Sequence, residues 1–186
     1  MASDILLREI RELEPDASNF DYNPPLIKSS SGKAYYGKVG SIAEEEQFTG
    51  EIESLKYIAM SAPGIAPRVL VHGKDESGQL YFISEYVNIS HLNAVSAPKL
   101  ATRLATEMHA FKSEKGFGFH VPTYCGATRL KNGWYDTWEE CYRTLIGDLI
   151  DGLRKKPVNK ELCAKGELVQ KLYAYYDCAI IRRGTK

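Results

Sequence analysis

The sequence predicts an α+β protein in which a mixed strand-and-helix half leads into an all-helical half. Two β-rich runs, Arg68–His72 and Leu80–Val87, are joined by the polar segment Gly73–Gly78, which reads as a hairpin. A helix opened by the capping box Ser41-x-x-Glu44 precedes them. Beyond residue 97 the apolar residues recur at helical spacing.

Composition narrows the function classes. Lys+Arg and Asp+Glu are both 24 in 186 residues, which argues against a large nucleic-acid surface. No apolar run reaches the roughly 18 residues of a membrane-spanning helix. Charged residues interrupt the apolar ones from Asp4 to Leu13, which argues against a secretory leader. Cys125, Cys141, Cys163 and Cys178 form no C-x-x-C pair, so free thiols in a reducing compartment are expected, with no zinc site. The cytoplasm is the expected location.

Taken in order, Ile5, Leu6, Ile10 and Leu13 give a helical stripe closed by Pro15. Residues 15–34 offer at most irregular strands around Leu26–Lys28, and Ala34–Val39 reads as a strand. The capped helix then buries Phe48, Ile52, Leu55 and Ala59 and stops at Pro63-Gly64. Glu44, Glu45 and Glu46 place negative charge at its positive end. A helix over 97–112 is expected to bury Leu100, Leu104, Met108 and Phe111. Residues 116–135 read as a glycine- and aromatic-containing loop. A third helix, opened by Asp136 with Glu139 three residues on, is expected to bury Trp138, Tyr142, Leu145, Leu149 and Leu153. After Pro157 a last helix, Lys160–Tyr176, is expected to bury Leu168, Val169 and Leu172.

One pair of residues suggests chemistry. Phosphoryl transfer needs a cation on the nucleotide phosphates, and in protein-kinase-like folds a strand lysine is fixed by a glutamate of the next helix. Lys38 lies on the Tyr35–Val39 strand, and Glu51 lies two turns into the following helix beside Phe48 and Leu55. A carboxylate at the edge of a buried stripe needs a partner, and Lys38 is the available one. Alone, such a pair is usually an ordinary surface ion pair.

Longer strings carry more. Tyr36-Gly-Lys-Val39, Glu45-Glu-Gln-Phe-Thr-Gly-Glu51 and Ser54-Leu55 match a strand lysine followed by a Phe-x-Gly-Glu helix. Ala66-Pro-Arg-Val69, Tyr81–Val87 and Leu104-Ala-x-x-Met108-His109 follow in the same order. Most specific is Gly116-Phe-Gly-Phe119, then Pro122-Thr123, Cys125-Gly126, Asn132-Gly-Trp134 and Trp138. Over about residues 28–155 this succession resembles the fructosamine/ribulosamine 3-kinase family. The resemblance implies a bilobal, aminoglycoside-phosphotransferase-like kinase fold, with an ATP-binding N-lobe and hinge over 1–88 and a partial helical C-lobe over 89–186. It implies ATP-dependent phosphorylation of the 3-hydroxyl of ketoamine sugars on glycated lysines, with Mg²⁺. By the same carry-over Lys38 would contact the α/β-phosphates, Glu51 would orient it, and backbone groups of Glu85, Tyr86 and Val87 would bind adenine.

The family's catalytic loop, His-Gly-Asp followed by an Asn, has no counterpart in this sequence. His72-Gly-Lys-Asp75 lies in the hairpin before the hinge, and Asp148, Asp151 and Asp177 lie on expected helices with no His-Gly before them. The resemblance therefore supplies no catalytic residue and no Mg²⁺ ligand. Ser29-Ser-Ser-Gly-Lys33 is a possible phosphate loop or only a turn. Gly116-x-Gly118 reads as packing, as do Trp134 and Trp138, although the segment 116–135 could line a cleft. His109 is expected to be packed on its helix, and His91 and His120 carry no assigned role. Stand-alone activity is not expected. A pseudokinase-like nucleotide- or protein-binding module, or a fragment without a stable fold, remain as alternatives.

Overall fold

A computed structural model of the chain describes residues 2–155 and 159–180, with side chains over 4–155 and 159–171. It divides into two compact units, Met1–Phe111 and Lys112–Lys186.

The first unit is an antiparallel five-stranded sheet between two helices. Helix α1 (Ala2–Leu13) is followed by β1 (Phe20–Asn23), β2 (Leu26–Ser29), β3 (Ala34–Gly40), α2 (Glu45–Ser61), β4 (Val69–Lys74), β5 (Leu80–Glu85) and α3 (Ser96–Arg103). The strands lie in the order β1-β2-β3-β5-β4, every neighbour pair antiparallel. Strand alternation sends Tyr35, Gly37, Val39, Tyr81 and Ile83 to one face and Tyr36, Lys38, Gly40, Leu80 and Phe82 to the other. The first face packs on Ile5, Leu6 and Ile10 of α1, the second on Phe48 and Ile52 of α2. Leu6, Ile10, Ile27 and Ile83 are fully buried, each stabilising the fold by roughly 1.5–3 kcal/mol. Leu13, expected in the α1 stripe, is exposed, one turn past the last sheet contact.

Two glycines on β3 set how closely the helices approach. A Cβ on Gly37 would stand 2.9 Å from a Leu6 methyl, and one on Gly40 would stand 2.3 Å from Cε2 of Phe48. Each helix therefore seats one side chain on bare strand backbone.

Where the sequence offers at most irregular strands around Leu26–Lys28, the structure forms a regular β1–β2 hairpin. Its prolines, Pro24 and Pro25, occupy the two-residue tip, where no ladder hydrogen bond is needed, and Phe20 and Ile27 are buried beside it. The segment Ser29–Lys33 is the β2–β3 turn, with Gly32 at φ 90°. It holds an internal anion. Glu14, buried at the end of α1, accepts from Tyr35 Oη (2.8 Å) and lies 3.4 Å from Lys33 Nζ. Hydrogen bonds from Ser31, with those of Tyr35 and Ser29 and the Lys33 charge, hold its carboxyl well below the usual range, at about 2.

The helix start expected at Ser41 is formed: Glu44 Oε2 accepts from the Ser41 amide (2.8 Å) and hydroxyl (2.9 Å). That first turn is a 3₁₀ turn, Ile42–Glu44, and α2 proper begins at Glu45. The helix expected over 97–112 is shorter than its apolar spacing suggests. Asn93 Oδ1 caps it by accepting from the Val95 and Ser96 amides, both at 2.9 Å. After Arg103 it widens into a π turn, Leu104–Met108, closed by the His109 amide on the Leu104 carbonyl (2.8 Å). Leu100, Leu104 and Met108 are half-buried, whereas Phe111 and His109 lie past the turn and are exposed rather than packed.

In the second unit the expected loop 116–135 is two short ribbons: β6 (Phe117–Phe119) pairs with β9 (Gly133–Tyr135), and β7 (Thr123–Cys125) with β8 (Thr128–Leu130). A Cβ on Gly118, at φ 136°, would fall 1.8 Å from the Gly133 carbonyl oxygen, so only glycine permits the ribbon to close. Asn132 takes a left-handed φ of 56° and donates through Nδ2 to Val121 O (2.8 Å) and Thr123 Oγ1 (2.9 Å). Helix α4 (Trp138–Arg154) is capped by Thr137, whose Oγ1 accepts from the Glu140 amide (3.2 Å), rather than by Asp136. Its fully buried positions are Cys141, Asp148 and Ile150, and Trp138, Tyr142, Leu145, Leu149 and Leu153 are only half-buried. The reason is close packing at small residues. Gly152 meets Thr128 of β8, and Gly166 of α5 (Lys160–Ile180) meets Ile150. Helix α5 thus turns Cys163 inward, while Leu168 and Val169, expected inside, are exposed. The side chains of Leu172, Asp177 and Cys178 lie outside the described residues.

Two outcomes are expected from these contacts. Because the Glu14 carboxyl is held below its ordinary value of 4.5, at about 2, its contribution is complete above pH 4.5 and lost as pH falls toward 2. The Tm difference between wild type and Glu14→Gln should be greatest near neutral pH and close over that window. A difference independent of pH would show that the charge contributes nothing. In the second unit, Gly118→Ala should lower unfolding stability by about 2–4 kcal/mol in urea melts followed by tryptophan fluorescence. An unchanged melt would refute the close approach.

Candidate functional site

Lys38 and Glu51 are brought together. β3 presents Lys38 toward α2, and Glu51, one turn beyond Phe48, faces back toward it. The Lys38 ammonium donates to Glu51 Oε2 at 2.5 Å, with the two side chains 31% and 38% exposed. The pair therefore sits at a water boundary, where an ion pair contributes only about 1 kcal/mol or less to stability.

Around the ammonium are aromatic rings, among them Phe48, which helical spacing assigns only to the buried stripe of α2. Nζ lies 4.9 Å from the Phe48 centroid and 5.8 Å from that of Phe82. Phe82 is the register partner of Lys38 on β5, and its ring meets Phe48 edge-on, 5.8 Å between centroids at 69°. Tyr36 packs against Phe82 from the other side, 6.1 Å away. The available signal was the register itself: a lysine on the α2-facing parity of β3 must lie opposite a β5 residue of the same parity.

Glu85, Tyr86 and Val87 follow at the end of β5, three residues beyond Phe82, or roughly 10 Å along the strand. Glu85 is firmly tied. Its amide donates to the Arg68 carbonyl (3.0 Å), and its carboxylate accepts from the Arg68 amide (3.1 Å) and guanidinium (3.0 and 3.2 Å). The Tyr86 amide donates to the Ala34 carbonyl at 3.3 Å. Tyr86 and Val87 are exposed. The amides of Glu85 and Tyr86 are thus engaged by the sheet, and a ligand at this edge would meet carbonyls and the Val87 backbone.

The β1–β2 tip Pro24-Pro25, and not the Ser29–Lys33 turn, lies beside the Lys38 segment of β3. Gly37, next to Lys38, donates its amide to the Pro25 carbonyl (2.8 Å). Ser29–Lys33 lies at the opposite end of β3, with Lys33 roughly 16 Å of extended strand from Lys38, and closes on Glu14. It is a turn, not a phosphate loop. Since proline has no N–H, the hairpin tip beside Lys38 offers no backbone donor at either position.

The remaining polar candidates have structural partners. His72 ends beside Lys56 (Nε2 to Nζ, 3.1 Å), and burial, with the Lys56 charge, pushes its imidazole pKa down. Asp75 closes the β4–β5 turn by accepting from Ser77 and Gln79 amides, both at 2.9 Å. Asp148 accepts from the Lys131 amide (2.7 Å) and faces its ammonium (3.3 Å), and Asp151 pairs with Arg154 (2.7 Å). In the second unit Phe119, Tyr135, Trp138, Cys141 and Leu145 line a cavity of about 190 Å³. Burial raises the Cys141 thiol pKa, which keeps it protonated. Among the described residues no group of three or more His, Cys, Asp or Glu side chains is arranged to hold a metal ion. No helix among them is long and apolar enough to cross a membrane.

A family model described as fructosamine kinase matches residues 19–174. A protein of Vibrio cholerae named probable ketoamine kinase is 26% identical over 141 residues, covering 75% of this chain and 48% of the relative. The chloroplastic protein-ribulosamine 3-kinase of Arabidopsis thaliana is 26% identical over 151 residues, covering 80% and 46%. The chain thus spans about half the length of the curated relatives it matches. A crystal structure of a Haemophilus somnus 129PT protein assigned as a fructosamine-3-kinase shares the fold at a TM-score of 0.57 and 19% identity, covering 75% of this chain and 48% of that one. With β3, α2 and the two ribbons all inside the matched span, the chain belongs to the fructosamine kinase family.

Proposed function

We propose that these residues form the nucleotide-gripping part of an ATP-dependent kinase acting on the 3-hydroxyl of ketoamine sugars carried by glycated protein lysines. The observation that carries the reading is the Lys38–Glu51 contact of 2.5 Å, set between β3 and α2 of an antiparallel sheet in a chain of this family. In this role the Lys38 ammonium neutralises α/β-phosphate oxygens, Glu51 restrains it, and the backbone of Glu85–Val87 meets the adenine edge. ATP and a ketoamine are the expected ligands, nucleic acid and membrane are not, and the cytoplasm is the proposed location.

Mg²⁺, which such transfer requires, finds no group of three or more acidic, His or Cys side chains among the described residues. The sequence has no His-Gly-Asp, and the aspartates Asp148 and Asp151 are held by Lys131 and Arg154. The 186 residues alone are therefore expected to bind but not to turn over. The donor-free Pro24-Pro25 tip favours a second reading, a pseudokinase-like module that holds a nucleotide without chemistry.

Both readings require nucleotide binding through Lys38. ADP should raise the Tm of the chain, and Lys38→Met should abolish that rise while changing basal stability by no more than about 2 kcal/mol. No shift with ADP or ATP would remove the nucleotide site. In a coupled assay with a fructosyl-lysine peptide, ADP release should stay at background. Release above it would refute the requirement for the His-Gly-Asp loop.

A further inference from the structure

We infer that Phe48, with Phe82 at its edge, is the positioning residue of Lys38: the two rings form a cation–π corner that holds the ammonium where phosphate oxygens must meet it. The functional side of this role rests on the nucleotide-binding reading above, and its geometry does not.

A lysine stem has four rotatable carbons and its ammonium three N–H donors. One N–H goes to Glu51 Oε2 at 2.5 Å. A single contact at a half-exposed site leaves the ammonium free to swing about that oxygen. Here two further directions are closed. The Phe48 centroid stands 4.9 Å from Nζ and that of Phe82 5.8 Å, both within the range in which a ring face attracts a cation. Because the rings meet at 69°, they wall the ammonium from two directions rather than one. Phe48 is 3% exposed and Phe82 1%, so neither wall can swing away.

The sequence is arranged to permit this corner. Gly40 stands two residues after Lys38 on the same strand face, and its missing Cβ leaves the space that the Phe48 ring occupies. The strand register places Phe82 across from Lys38. The Pro24-Pro25 tip beside this segment supplies no amide to steer a phosphate. A leucine at position 48 would fill much of the same volume but has no quadrupole to hold a cation.

Replacing Phe48 by fluorinated phenylalanines separates the two roles, since added fluorine drains the ring face while nearly preserving its shape. ADP affinity is expected to fall stepwise from mono- to pentafluorophenylalanine, reaching about tenfold at the end of the series, with Phe48→Leu weakened similarly. Tm should remain within a few degrees across the fluorinated set. Unchanged affinity along the series, or a loss that follows Tm rather than fluorine number, would overturn the inference. NMR of the ligand-free chain tests the geometry separately. The Lys38 ε-methylene protons should be shifted upfield by the rings and return toward the position of the other lysines in Phe48→Leu. If wild type fails to bind ADP yet shows this shift, the nucleotide reading fails and the corner stands; an unshifted Lys38 overturns the corner itself.

Discussion

Phe48 rests on the backbone of β3 because Gly40 has no side chain to prevent it. That contact fixes the height of α2 above the sheet, since a Cβ at Gly40 would lie 2.3 Å from the ring. Once the height is fixed, Glu51, a turn further along the same face, comes within hydrogen-bonding distance of Lys38. On the reverse face Gly37 does the same for Leu6 and α1. The strand that carries Lys38 is therefore also the strand against which both helices are gauged. A shift of α2 would move Glu51 relative to Lys38, because packed interiors transmit displacement rather than absorb it.

What could be read in the sequence follows from how local each signal is. The capped start of α2, the β4–β5 hairpin and the pairing of Lys38 with Glu51 depend on neighbours a few residues apart or on strand parity, and those were legible. The β1–β2 hairpin was not, because Pro24 and Pro25 suppress strand propensity and only the tertiary placement of Phe20 and Ile27 restores it. Asn93 as the cap of α3 was missed because Val95 and Ser96 separate it from any apolar stripe. On α4 and α5 the apolar period suggested a face built on Leu and Trp side chains. Close contacts fall instead at Gly152, which meets the Thr128 side chain, at Gly166, which meets that of Ile150, and at buried Cys163, and small residues contribute little to a hydrophobic pattern.

The Ser29–Lys33 turn shows how register separates two readings that the sequence leaves open. Hydroxyls, a glycine and a lysine in one tight turn are an anion-binding set, and an anion is bound there. It is Glu14, brought from α1, and the set closes a tertiary contact rather than a phosphate. Sequence spacing states which charge a segment can accept. It does not state whether the charge arrives on a ligand or on another part of the chain, and register decided that here by placing the turn at the far end of β3 from Lys38.

The strings that mark the family do two different physical jobs, and this separates fold from function. Gly116-Phe-Gly-Phe119 and Asn132-Gly-Trp134 specify backbone: Gly118 passes the Gly133 carbonyl, Asn132 occupies a left-handed conformation, and Phe117 meets Trp138 edge-on at 6.2 Å. None of these contacts needs a nucleotide, so the motif would persist in a relative that had lost its chemistry. Phe48-Thr-Gly-Glu51 is different. Its buried ring and its half-exposed carboxylate converge on one ammonium, which an interior packing role alone would not require. Family membership can rest on the first motif, but a claim of function has to rest on the second. A chain that kept the ribbons and lost Lys38 or Glu51 would retain the family's backbone motif but, on the proposed reading, lose its contact with phosphate.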